Sequence, residues 1–181
     1  MTEQASLLTD PSQRLEAAFR AIHVQCMQGL AFVNPALRVE AIGFAPWKHY
    51  WLGVMLTPWS MNLLLTPHDP AAWRPLPAGA KRRYAFPAGT FDFIGAVDAR
   101  VGEYLTCSLF SPVPEFADHD TAREAARVAR EALFDAAHAE GAEPAEARDR
   151  SPSARVAAGL ATPMSRRDLL RGRWRDHEPG R

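Results

Sequence analysis

The segment between residues 37 and 110 constrains the fold most, because its apolar residues occur in short extended runs that Gly and Pro separate. The runs are Leu37–Phe44, Trp51–Leu56, Met61–Leu65, Arg82–Phe86, Thr90–Ala96 and Glu103–Phe110. The second and third runs are apolar nearly throughout, which is typical of strands buried on both faces. Five or six strands without intervening helices predict an antiparallel sheet. Pro87-Ala88-Gly89 predicts a tight turn within it.

Two amphipathic segments predict helices at the two ends of this sheet. Asp10-Pro11 favours a helix start, and apolar residues then recur at three- and four-residue steps as far as Leu30, with Cys26 predicted as a small core residue. A second helix is predicted from about Asp120 to His138, with an alanine-rich face suited to close packing. The predicted fold class is therefore α+β, a small antiparallel sheet of five or six strands packed with an N-terminal and a C-terminal helix and followed by a largely disordered tail.

Charge divides the chain into two parts, although its formal net charge is zero. Residues 1–140 carry 12 basic and 15 acidic side chains, a net charge of −3, and residues 141–181 carry 9 and 6, a net charge of +3. The second part is rich in Ala, Glu, Pro and Arg and has one aromatic residue, so it cannot bury enough surface to fold alone. We expect a folded domain over residues 1–140 and a flexible tail over 141–181. An acidic folded part disfavours binding to nucleic acid.

The sequence offers no motif for catalysis or metal binding. It has no phosphate-binding Gly-rich loop, nucleophile elbow or zinc-binding helix motif, and its six histidines lack ligand spacing. Two cysteines provide neither a disulfide framework nor a four-cysteine metal site. Cys107-Ser108 supplies a nucleophile only if a base such as His49 or His119 approaches it. The sequence thus predicts a protein that is not an enzyme and that uses no metal or cofactor, with Cys107 as a half-buried strand residue.

Large apolar side chains beside prolines dominate residues 47–73, which hold four of the five tryptophans. A small domain cannot bury all of them, and an exposed remainder is typical of a protein-binding surface. On the C-terminal helix a phenylalanine lies among arginines, and both residue types are enriched at interface hot spots. The predicted partner-binding residues are Trp47, Trp51, Trp59, Met61, Arg127, Arg130 and Phe134. The alternative is that the tryptophans form the core and that the arginines belong to a solvated face, with an Arg127–Glu131 pair.

Four segments, in this order, resemble signature blocks of the HybE/HupJ/HoxT family of accessory chaperones for [NiFe]-hydrogenase assembly. They are Asn34–Phe44, Trp51–Leu63, Phe86–Phe93 and Cys107–Phe116. The combination spans most of the predicted folded domain, and this makes it more specific than any single block.

The resemblance implies a cytoplasmic, non-catalytic protein that holds immature hydrogenase subunits as its partners. It also implies a role in keeping export of the small subunit, through its twin-arginine signal, in step with cofactor insertion. Some relatives carry a rubredoxin domain with four iron-binding cysteines, which two cysteines cannot provide here. The alternative from another class is a thiol-dependent maturation enzyme or redox factor that acts through Cys107. The lack of a basic n-region followed by an apolar h-region at the N-terminus agrees with a cytoplasmic location.

The tail contains a segment that is similar to a twin-arginine export signal. Ser165–Arg171 includes Arg166, Arg167, Leu169 and Leu170 at the corresponding positions, but no apolar stretch follows it, so it cannot direct export. One interpretation is chance in an arginine-rich tail. The other is a pseudo-signal that occupies the protein's own signal-binding groove at high effective concentration until a real signal competes.

Overall fold

A computed structural model describes residues 9–113 and 116–136 of the chain, and it contains a single six-stranded sheet with two α-helices. The elements are α1 (Ser12–Ile22), β1 (Glu40–Trp47), β2 (Tyr50–Leu56), β3 (Met61–Pro67), β4 (Lys81–Phe86), β5 (Gly89–Asp98), β6 (Gly102–Phe110) and α2 (His119–Ala132). Every pairing is antiparallel, in the order β1-β2-β3-β6-β5-β4. The predicted α+β class and strand number are confirmed.

The two helices cover opposite faces of the sheet. Leu15, Ala18 and Phe19 of α1 pack on one face, and the alanines of α2 pack on the other. Strand β2 is buried at every residue because it lies between the two helices. Its nearly continuous apolar sequence is therefore a consequence of cover on both sides.

Helix α2 begins and packs as its sequence predicts, but it ends at Ala132 rather than near His138, and Ala136 is exposed beyond its end. Asp118 is its N-cap and accepts a hydrogen bond from the backbone N–H of Thr121 at 2.7 Å. The predicted alanine face is buried, and it comprises Ala122, Ala125, Ala126, Ala129 and Ala132. Small side chains along one face allow a helix to lie close to its neighbour. No helix of the described residues is long and apolar enough to cross a membrane.

The prediction that Cys26 is a core residue is wrong. The regular helix ends at Ile22 and a π-helical turn follows over His23–Met27. A π-helical turn holds more residues than an α-helical one, so the three- and four-residue spacing no longer keeps one face toward the sheet. Cys26 is exposed as a result.

The sheet is strongly curled, and aromatic rings join its two edges. Trp47, at the end of edge strand β1, stacks on Phe86, at the end of edge strand β4, with ring centroids 4.3 Å apart. Nearby, the Tyr84 hydroxyl donates to the Tyr50 hydroxyl at 3.2 Å. Helix α2 lies in the resulting concave face, where the Leu133 carbonyl accepts from the Ala88 N–H of the β4–β5 turn.

Candidate partner-binding surface

Three aromatic rings form a continuous strip where the two sheet edges meet the end of α2. Trp47 and Phe86 are almost parallel, with 15° between their planes. Phe134 meets Phe86 edge-on, with centroids 6.0 Å apart and 81° between the planes. Phe134 is 40% exposed and Trp47 is partly exposed. We call these rings, with the two cations described next, the ring surface.

Two cations lie on the outer rings of the strip. The Lys48 Nζ is 4.6 Å from the centroid of a Trp47 ring, and the Arg130 Cζ is 5.8 Å from the centroid of Phe134. Both distances are within the range of cation–π attraction, which holds each cation on its ring. The ring surface therefore comprises Trp47, Lys48, Phe86, Arg130 and Phe134, and it combines apolar area with positive charge.

Local backbone geometry places both cations. Trp47 and Tyr50 pair across the β1–β2 hairpin, and Lys48 takes the left-handed conformation in its turn, with φ of 54°. Also on β1, Gly43 has φ of 63°, and a Cβ built there would lie 2.9 Å from the Cδ of Arg130. A side chain at this position would press on the arginine stem. Glycine is therefore what allows Arg130 to lie against β1.

A polar cluster fixes α2 to the strand that carries Trp47. Glu40 of β1 accepts from His119 Nε2 at 2.5 Å and from Arg123 Nε at 2.8 and 3.0 Å. His119 is only 5% exposed, and its Nδ1 accepts from the Arg38 backbone N–H at 3.2 Å. This backbone donor requires an unprotonated Nδ1, so the imidazole proton is on Nε2 and points at the carboxylate. The cluster of Glu40, His119 and Arg123 thus sets the position of α2 relative to β1.

The charge of this cluster is stabilised in the folded state. Burial raises the pKa of Glu40, but hydrogen bonds from Arg123 and His119 outweigh burial and hold it below its ordinary value of 4.5. Hydrogen bonding to Glu40 likewise raises the pKa of Arg123. Glu40 is therefore a carboxylate at neutral pH and links the two elements through charge-assisted hydrogen bonds.

The structure places the residues predicted from the sequence to bind a partner in different parts of the fold. Trp47, Arg130 and Phe134 come together in the ring surface. Trp51 and Met61 are buried core residues, as in the alternative interpretation.

Trp59 lies on the face of the sheet that α1 covers, where it packs against the apolar residues of that face. Its ring centroid is 5.6 Å from that of His23. Arg127 is exposed and bonds to both Glu124 and Glu131. The predicted pseudo-signal residues Arg166, Arg167, Leu169 and Leu170 lie outside the described residues, and their role stays a prediction.

Sequence reasoning missed Phe86, Lys48 and the cluster around Glu40. Phe86 is separated from Trp47 by most of the sheet, so only the curl of the strands reveals their contact. The sequence did point to Phe86, because it is the first residue of one of the four segments that carry the family resemblance. Glu40 and His119 are likewise distant in sequence, and only their alignment across β1 and α2 makes them a pair.

The chemistry that this arrangement supports is contact with another molecule. Cys107 is buried rather than half-buried, and it faces the core on β6. Among residues 9–113 and 116–136, no three His, Cys, Asp or Glu side chains converge as a ligand set for a metal ion. The partly exposed rings and their cations are instead typical of an interface.

Comparison with known proteins identifies close relatives. The family described as "[NiFe]-hydrogenase assembly, chaperone, HybE" matches residues 10–172. The chain is 37% identical over 158 residues to the hydrogenase expression/formation protein HupJ of Bradyrhizobium diazoefficiens, covering 87% of this chain and 85% of that protein. It is 39% identical over 128 residues to the protein HoxT of Cupriavidus necator, covering 65% and 72%. The solution structure of HybE from Escherichia coli matches the fold with a TM-score of 0.56 and 24% identity, covering 81% of this chain and 94% of that one.

Proposed function

Since this chain belongs to the HybE/HupJ/HoxT family of [NiFe]-hydrogenase assembly chaperones, we propose that it holds immature hydrogenase subunits at its ring surface. The proposal rests on the strip of Trp47, Phe86 and Phe134, in which Trp47 is partly exposed and Phe134 is 40% exposed. Rings that remain accessible in a folded protein favour a binding site for another chain. Holding a client in this way requires neither catalysis nor a cofactor.

The client contact is formed by two separate elements, and this suits a chaperone that must release what it binds. Trp47 is on the β1–β2 hairpin and Phe134 follows the end of α2, so a client segment that lies on both rings bridges hairpin and helix. Release then needs only a small change in the relative position of these two elements. The Glu40–His119–Arg123 cluster is the link that resists such a change.

The proposal is tested by measuring the affinity of the purified full chain for a purified immature hydrogenase subunit. The double substitution Trp47→Ala/Phe134→Ala is expected to weaken binding at least about 30-fold, which corresponds to the loss of a single aromatic hot-spot anchor worth about 2 kcal/mol. Phe32→Ala is the matched control, since Phe32 is 48% exposed on a segment outside the ring surface. Equal affinities of the wild type and the double variant would refute the proposed site.

We extend the proposal to the cytoplasmic step that precedes export of the small subunit. Holding the precursor would delay recognition of its twin-arginine signal until the large subunit has received its cofactor. The measurement is the export rate of a small-subunit precursor in cells with the wild-type protein or with Trp47→Ala/Phe134→Ala. Premature export of precursor in the variant is expected, and an unchanged export rate and an unchanged fraction of active enzyme would contradict this role.

The non-catalytic part of the proposal has its own test at Cys107. The side chain is buried on β6 and packs in the core. Cys107→Ala is expected to keep client binding and hydrogenase maturation, whereas a thiol-dependent enzyme would lose its activity with this substitution. Cys107→Val is a second variant of similar size, so that a loss caused by a core cavity can be separated from a loss of the thiol.

A further inference from the structure

Among the described residues, most acidic side chains form salt bridges, but the two cations of the ring surface do not. Most carboxylates there already have a basic partner, as in Glu16–Arg20, Glu40–Arg123, Asp92–Arg83, Asp98–Arg100 and Glu124–Arg127. By contrast, neither Lys48 nor Arg130 has a described carboxylate within salt-bridge distance. The unsatisfied charge around the ring surface is therefore positive.

Arg130 has an additional unused donor. Its Nε is buried and has no hydrogen-bond partner among the described residues. The stem of the side chain lies against Gly43 and the guanidinium lies over Phe134, so these two contacts fix the position of the head group. A buried donor without a partner costs free energy, and a carboxylate that pairs with the partly exposed guanidinium of the same side chain would offset part of that cost.

We infer that the ring surface recognises an apolar client segment that carries acidic side chains, whose carboxylates pair with Arg130 and Lys48. The inference rests on the proposed function and specifies the chemistry of the bound segment. Apolar side chains of the segment would cover the rings of Trp47, Phe86 and Phe134. The two cations lie on two different rings, so they can pair with two separate carboxylates. A chain terminus supplies only one carboxylate, and a segment with acidic side chains is therefore the better match.

Charge complementarity also decides against one alternative occupant. The two arginines of a twin-arginine signal would meet Lys48 and Arg130 as like charges, and like charges at an interface cost several kcal/mol. Most acidic side chains in the described part of the chain are already bonded to arginines and are therefore not free to receive them. An acidic, apolar segment of the subunit is therefore the better occupant of this surface.

The experiment uses the full chain and three short apolar peptides that are identical except at two positions, which hold Glu, Gln or Arg. The Glu peptide is expected to bind about tenfold or more tighter than the Gln peptide, because one charge-assisted bond contributes about 1.5–3 kcal/mol, and the Arg peptide is expected to bind most weakly. The preference for Glu should disappear in Lys48→Asn/Arg130→Gln. Asn tolerates the left-handed backbone of residue 48. The Nε of Arg130 has no hydrogen-bond partner among the described residues, so Arg130→Gln removes no bond of that atom within the described part of α2.

Arg83→Gln provides the control for loss of positive charge in general, since Arg83 lies on edge strand β4 and pairs with Asp92. It should leave the preference for Glu intact. Equal binding of the three peptides, or a preference for Arg, would overturn the inference. If the immature subunit still loses affinity in Trp47→Ala/Phe134→Ala, the proposed function stands while the inference fails. If the subunit is unaffected by that double substitution, the proposed function itself fails.

Discussion

Substitution of Glu40 by Gln tests whether the polar cluster fixes α2 to the sheet. The amide keeps one acceptor oxygen and replaces the other by a donor, so it cannot accept from His119 Nε2 and from Arg123 Nε as the carboxylate does. It also removes the charge that strengthens the remaining bond. The lost interaction is one charge-assisted hydrogen bond at a site that is mostly shielded from water. We therefore expect the free energy of unfolding to fall by about 2–3 kcal/mol at neutral pH.

The matched control is Asp120→Asn, which removes another carboxylate from the same arginine. Asp120 bonds to Arg123 at 2.6 Å, but its side chain is 81% exposed. An exposed pair contributes about 1 kcal/mol or less, because water and salt screen it. Both variants are compared with the wild type by urea unfolding followed through tryptophan fluorescence. If Glu40→Gln costs no more than Asp120→Asn, the cluster does not anchor the helix.

Comparison of the wild type with Glu40→Gln also predicts how the stabilisation by Glu40 changes with pH. The pKa of Glu40 in the folded state lies below its ordinary value of 4.5, so the carboxylate stabilises the fold above that value and ceases to do so as the pH falls through the folded-state pKa. The difference in unfolding free energy between wild type and Glu40→Gln should be constant near neutral pH and should shrink in acid below about pH 4.5. A difference that grows on acidification would contradict this assignment.

Three further predictions concern single positions. Gly53→Ala is expected to cost about 2 kcal/mol or more in unfolding free energy, because the new Cβ would lie 2.3 Å from Cδ2 of Phe44 and displace this buried ring from its packed position. Cys26 should react quickly with an alkylating reagent in the native protein, whereas buried Cys107 should react only on unfolding, and mass spectrometry distinguishes the two. Asp118→Ala should lower the unfolding free energy by about 1 kcal/mol in a urea titration, because the N-cap of α2 is lost.

The sequence predicts the parts of this fold that depend on local pattern. Continuous apolar runs identify β2 and β3, because both faces of these strands are covered. Pro87 and Ala88 form the predicted turn between β4 and β5, where Phe86 pairs with Gly89. The buried face of α2 follows from its alanine spacing.

The remaining features depend on long-range geometry that local pattern does not contain. The π-helical turn after Ile22 moves Cys26 to the surface, and no residue type requires such a turn. The contact between Trp47 and Phe86 exists because the sheet curls until its edges meet. The sequence thus identifies Trp47 as a candidate contact residue. It cannot distinguish Trp47 from Trp51, which lies on the neighbouring strand β2 and is buried.

Hydrogen–deuterium exchange of the full chain, measured alone and with a purified immature hydrogenase subunit, locates the surface that contacts the client. We expect slower exchange in the complex for the β1–β2 hairpin around Trp47 and Lys48 and for the segment from Arg130 to Phe134. These two regions are distant in sequence and adjacent in the ring surface. Slower exchange confined to other regions, such as the exposed segment around Phe32, would show that the client does not bind at the ring surface, as would a complex in which neither region changes.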